Sequence, residues 1–140
     1  MDLTKENLSG AVWNADGFGG LPDYPVGAAI LRGINLSQAN LTQVRLDGVD
    51  LRGANLQGAN LETALMDYAD LSDANLSEAL LFQTSLRRAI LKRTNLKKAS
   101  LRQVQIPRAN FCDANLEEAN LFETNAEYAN FCRANLKNSK

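Results

Sequence analysis

From Leu31 to Leu136 an apolar residue returns every five positions; 17 of these 22 are leucine, and the others are Met66, Ile106, Phe111, Ala126 and Phe131. Two places before each stands a small or β-branched residue, alanine in 15 of 22 cases. Between the two, Asn or Asp occupies 14 of 22 places, so the unit reads A-(N/D)-L-x-x. A period of five excludes an amphipathic helix, because leucines stepping by about 140° would scatter round its circumference. On extended chain, residues two apart share a face, so Ala and Leu point inward together while the Asn or Asp points out. The next Ala lies an odd three residues beyond, which requires the backbone to turn in every repeat. Turns of one hand wind the chain into a coil with Ala and Leu inside, and stacked coils then pair as parallel ladders about 4.8 Å apart.

A coil of 20 residues stacks Asn35, Asn55, Asn75, Asn95, Asn115 and Asn135 in one outward column, and Asp73, Arg93, Asp113 and Arg133 in a charge ladder. A three-sided coil of 15 residues yields about as many opposite-charge neighbours, so charge pairing leaves the number of sides open. The tandem units, such as AnLqgAnLetA at 54–64 and AnFcdAnLeeAnL at 109–121, resemble those of the pentapeptide repeat protein family over residues 29–138. That resemblance implies an all-β fold, a right-handed quadrilateral parallel β-helix with four repeats per coil and about five and a half coils, roughly 25 Å of stack.

Residues 1–28 break the pattern. Leu3, Leu8, Trp13 and Phe18 are five apart in a frame that does not join the main one, and GFGGLPDYP at 17–25 reads as an irregular loop. The segment is expected to cap the stack, as one partial coil or a short separate element, because bare ladder ends invite association. No second cap is seen after Leu136, and with Phe111 and Phe131 in one interior column the last coil is a candidate homodimer contact. The opening MDLTKENLSG has two acids in its first six residues and lacks the apolar run of an export signal. The longest apolar stretch, Ala79 to Phe82, is four residues, so no membrane span is expected. The chain reads as cytoplasmic, with Cys112 and Cys132 as reduced, unreactive thiols.

Fifteen basic residues stand against 16 acidic ones, and histidine is absent, which removes the usual general base and the commonest metal ligand. Gly53 and Gly58 have P-loop spacing but are followed by Ala59 and Asn60 where Lys and Ser or Thr are needed. No nucleophile, base and orienter can be assembled, so neither catalysis nor a cofactor, metal or small-molecule substrate is expected.

Charge layout carries the functional signal. Between Ala79 and Cys112 there are eight basic residues, Arg87, Arg88, Lys92, Arg93, Lys97, Lys98, Arg102 and Arg108, and no acid. Acidic stretches flank this belt on both sides. One reading is charge pairing between coils, as in Glu78, Lys98 and Glu118. The other is a surface for a protein partner. A 20-residue register puts Arg102 between Phe82 and Phe122, and Arg88 and Arg108 between Tyr68 and Tyr128, residue types common at binding hot spots. Leu65, Leu80 and Ile90 moreover replace the usual outward Asn or Asp. Direct nucleic-acid binding is disfavoured by the flanking acids. Some members of the family protect type II topoisomerases such as DNA gyrase as negatively charged DNA mimics, and the cationic belt departs from that pattern. The sequence is therefore read as a rigid, non-catalytic interaction rod for an unidentified protein, with DNA mimicry as the alternative.

Overall fold

The computed structural model describes residues 31–140, so the expected cap at 1–28 and the first two repeat positions lie outside the described residues. Within them the chain is a parallel β-solenoid. Every bridge joins a residue to the one 20 positions later, from Asn35 with Asn55 to Asn115 with Asn135. This register excludes the 15-residue coil and makes four columns. The first face carries Asn35, Asn55, Asn75, Asn95, Asn115 and Asn135; the second starts at Asn40, the third at Arg45 and the fourth at Asp50. Each face contributes one bridged residue per coil instead of an extended strand, because the chain turns again after three more residues.

The turn explains the repeat length. The carbonyl of each inward Leu accepts the N–H of the residue three positions on, as Leu56 does from Ala59 at 3.0 Å. The residue two after each Leu has positive φ, from Gly33 to Asn138, which is the type II pattern. Only four of these 22 residues are glycine, so the other 18 hold a left-handed conformation against its steric cost. Up to Glu118 the stack over-determines them: the amide of this residue donates to the coil above, as Arg88 does to Pro107 at 3.0 Å.

The interior is built from the two predicted positions. Leu36, Leu56, Leu76, Leu96 and Leu116 stack in one fully buried column, with Ala39, Ala59, Ala79, Ala99 and Ala119 beside it. Each buried leucine contributes about 1.5–3 kcal/mol. Phe111 and Phe131 do share a column, their rings stacked with centroids 4.9 Å apart. Where Thr replaces Ala its hydroxyl is satisfied inside: Thr84 donates to the Leu61 carbonyl at 2.7 Å and Thr94 to the Leu71 carbonyl at 2.8 Å.

Candidate functional site

Four of the five backbone amides in a repeat are held by turns and ladders. The fifth, one residue after the Leu, needs another acceptor, and the Asn or Asp supplies it. All 14 such residues accept from the N–H two positions on, as Asn75 does from Ser77 at 3.2 Å and Asn110 from Cys112 at 3.0 Å. On the first face these side chains also bond to one another. Asn95 Nδ2 donates to Asn75 Oδ1 at 3.0 Å and Asn75 Nδ2 to Asn55 Oδ1 at 3.3 Å, a continuous amide ladder.

The third face lacks this residue at four successive levels and compensates at three of them. Asp47 accepts the Asp67 amide at 3.1 Å, and Asp67 in turn accepts the Arg87 amide at 2.9 Å and the Ser85 hydroxyl at 2.6 Å. At the next level Pro107 has no N–H to satisfy, and its ring suits the second position of a type II turn. Among the repeats whose outward residue is described, four amides at this position then have no acceptor among the described residues: Asp47, Phe82, Lys92 and Arg102. Three of them lie in the basic belt.

All eight belt residues sit in turns, so the belt runs round the four corners of the rod. Half of it is spent on neighbouring coils. Arg93 forms a bidentate pair with Asp73, at 2.7 Å, and Lys97 reaches Glu117 at 3.2 Å. Lys98 reaches Glu118 at 4.0 Å, and Arg87 reaches Asp67 at the same distance. Glu78 is not part of this set, so the expected Glu78–Lys98–Glu118 column closes on one side only. The charge ladder resolves into two pairs, Asp73 with Arg93 and Asp113 with Arg133. The guanidinium hydrogen bond in each holds the aspartate below its ordinary range and raises the arginine.

Arg88, Lys92, Arg102 and Arg108 have no carboxylate within ion-pair distance among the described residues. Aromatic rings hold three of them. Arg88 lies over Tyr68 at 5.7 Å, Arg108 over Tyr128 at 5.9 Å and Arg102 over Phe122 at 6.0 Å. Arg88 and Arg108 are neighbours in adjacent coils, and each leans away from the other onto its own ring, as like charges must. Arg102 leans to Phe122 and leaves Phe82 without a cation, where the sequence places it between both. Tyr68, Phe122 and Tyr128 are all more than half exposed. The corner between the third and fourth faces opens a groove of about 390 Å³, lined by Tyr68, Arg88, Arg108 and Tyr128 with Asp67 and Glu127 near its ends.

The sequence names these arginines and aromatics but not the open amides. The signal was present, because Leu80, Ile90 and Ser100 occupy places where the repeat keeps its acceptor. Cys112 and Cys132 are free, one partly covered and one exposed, and among the described residues no cluster of Cys, Asp and Glu is arranged for a metal. No helix among those residues is long and apolar enough to cross a membrane.

Comparison with known proteins agrees with the fold. Two trypsin-treated forms of QnrB1, a plasmid-mediated fluoroquinolone resistance protein, are similar structures at 18% identity, with TM-scores of 0.69 and 0.62. They cover 96% and 97% of this chain and 68% and 70% of their own. Rfr23, a pentapeptide repeat protein from the cyanobacterium Cyanothece 51142, is 25% identical, with a TM-score of 0.48 over 99% of this chain and 89% of its own. A comparison with curated protein sequences finds no match. The model of pentapeptide repeats matches in eight copies over residues 29–67, 69–106 and 108–138, and the chain belongs to the pentapeptide repeat family.

Proposed function

We propose that the protein is a non-catalytic rod that holds a protein partner on its basic belt. One observation carries this reading: Arg88, Arg102 and Arg108 are held outward on exposed rings, with no carboxylate of the described chain in ion-pair reach. Stability alone does not call for that arrangement, since like charges in adjacent coils repel. An acidic partner surface supplies the missing counter-charge, and the aromatics supply contact area at low entropic cost. The rod is rigid because each coil is bonded to its neighbours, so its side chains are presented already ordered.

Affinity capture from the native lysate, read by mass spectrometry, tests this reading. Wild type is expected to retain a partner that the combined Arg88→Glu, Arg102→Glu and Arg108→Glu variant loses, with far-UV circular dichroism unchanged. Identical capture by both would return the belt to a structural role. The alternative, modulation of DNA gyrase by DNA mimicry, has support from the fold of QnrB1 alone, and a mid-length cationic band opposes it. A supercoiling assay with purified protein is expected to show no protection and no inhibition. Self-association through the last coil is a separate proposal, tested by sedimentation with and without Phe131→Ser.

A further inference from the structure

We propose that the fourth face, at the coil containing Ile90, takes a carboxylate from an acidic segment of the protein partner, and that this carboxylate stands where the repeat elsewhere places its own Asn or Asp. The inference rests on reading the belt as a protein-binding surface, and it specifies the bound group.

On this face Asp50, Asp70, Asn110 and Asn130 each accept the N–H two residues later, at 3.3, 3.0, 3.0 and 3.0 Å. Ile90 interrupts the series. Its side chain has no oxygen to offer, the Lys92 amide has no acceptor among the described residues, and Ile90 itself is 37% exposed. Arg88 and Lys92 flank Ile90 in the same coil, and Arg108 stands one coil on. None of the three is ion-paired among the described residues. Asp113 feels the charge of Lys92 but is bound bidentately to Arg133. An incoming carboxylate therefore finds an N–H without an acceptor among the described residues, an aliphatic floor, and the cations Arg88 and Lys92 of the same coil with Arg108 one coil on, none of them neutralised by a carboxylate of those residues. Phosphate would take the charge but not the floor, whereas Glu beside an apolar residue uses both. The acids around the patch, Asp67, Asp70, Asp73, Asp113 and Glu127, limit any anion to a single carboxylate-sized group, and the apolar floor of Ile90 sets a peptide that alternates acidic and apolar residues above a nucleic acid.

The test uses a fluorescein-labelled peptide of alternating Glu and Leu, followed by anisotropy, and amide NMR of the ¹⁵N-labelled full chain. Wild type is expected to bind at micromolar concentration, with the Lys92 amide proton moving downfield as it gains an acceptor. Ile90→Asn restores the internal acceptor. It should weaken the peptide by about tenfold or more, place the Lys92 amide downfield before any peptide is added, and leave the melting temperature unchanged or higher. Ile90→Val should keep the affinity. Unaltered binding by Ile90→Asn overturns the carboxylate site, as does failure of wild type to bind the peptide, or tighter binding of an oligonucleotide of equal charge. If Ile90→Asn is silent while the triple arginine reversal still loses its captured partner, this inference falls and the belt reading stands. Loss of neither would overturn both.

Discussion

The first face and the Ile90 level of the fourth face share a backbone and differ in what they leave unfinished. On the first face every amide one residue after the Leu has its acceptor, and each Asn side chain bonds the next. At Ile90 the backbone follows the same path with the same bridge to Asn110, yet among the described residues the Lys92 amide has no acceptor, the alkyl group is exposed and the nearby cations Arg88, Lys92 and Arg108 have no carboxylate. The winding therefore does not depend on the outward Asn or Asp at each step. That residue completes the hydrogen bonding, and its omission is what frees a surface.

The severest way to break the comparison is to strike beneath both faces. Leu96 is fully buried in the column shared by all coils, and Leu96→Asp places a carboxylate there without a partner. The cost is several kcal/mol, comparable with the whole stability of a small domain. Loss of the β signal in circular dichroism at 25 °C is expected; a folded variant would show that the column tolerates local opening.

A reciprocal exchange sharpens the contrast. Asn75→Leu removes an acceptor for Ser77 and two links of the amide ladder, and should destabilise the rod by about 1–3 kcal/mol. Leu80→Asn runs the other way. Leu80 is 42% exposed, so little burial is lost, and the Phe82 amide gains an acceptor. Urea unfolding should show a gain of about 0.5–1 kcal/mol. Opposite signs would establish the cap as the cause; a loss at both positions would mean that Leu80 is packed more tightly than its exposure indicates.

The interior was legible in the sequence because burial needs only the right residue every fifth place, and Leu, Ala, Val and Thr announce it. The number of sides was not legible from charge, since 15- and 20-residue registers pair charges equally well. Backbone bridges decide it, and they depend on the angle of each turn. The site was half legible. Arg88, Arg102, Arg108 and their rings followed from register, while the division of the belt into paired and unpaired cations depended on which way long side chains lean. Mutual repulsion parts Arg88 from Arg108, and adjacent acids draw Lys97 and Lys98 together. The open amides needed a count of donors, which a hydrophobic pattern does not contain.

The corner between the fourth and first faces adds a pH-dependent contrast. Asp73 and Asp113 titrate below their ordinary range because Arg93 and Arg133 hydrogen-bond to them. A carboxyl depressed in the folded state stabilises the fold above its unfolded pKa, and that contribution is lost as the pH falls through the depressed value. The double variant Asp73→Asn, Asp113→Asn keeps residues that tolerate positive φ. It should therefore be slightly less stable than wild type at pH 7, with the gap closing in acid. A gap that persists below the carboxylate range would point to packing instead of charge.

The smallest effect separates turn strain from capping. Thr63 holds φ at +57° although its β-branched side chain disfavours that region, in a repeat whose cap, from Asn60 to Glu62, is intact. Thr63→Gly relieves strain of about 1–2 kcal/mol. It gives up the Thr63 hydroxyl bond to the Glu62 carbonyl and adds freedom to the unfolded chain, which together offset most of that relief. A net gain of a few tenths of a kcal/mol in urea unfolding is expected. A clear loss would show that the left-handed turn is held by its side chain, and that the 18 residues other than glycine at these corners stabilise the coil in their own right.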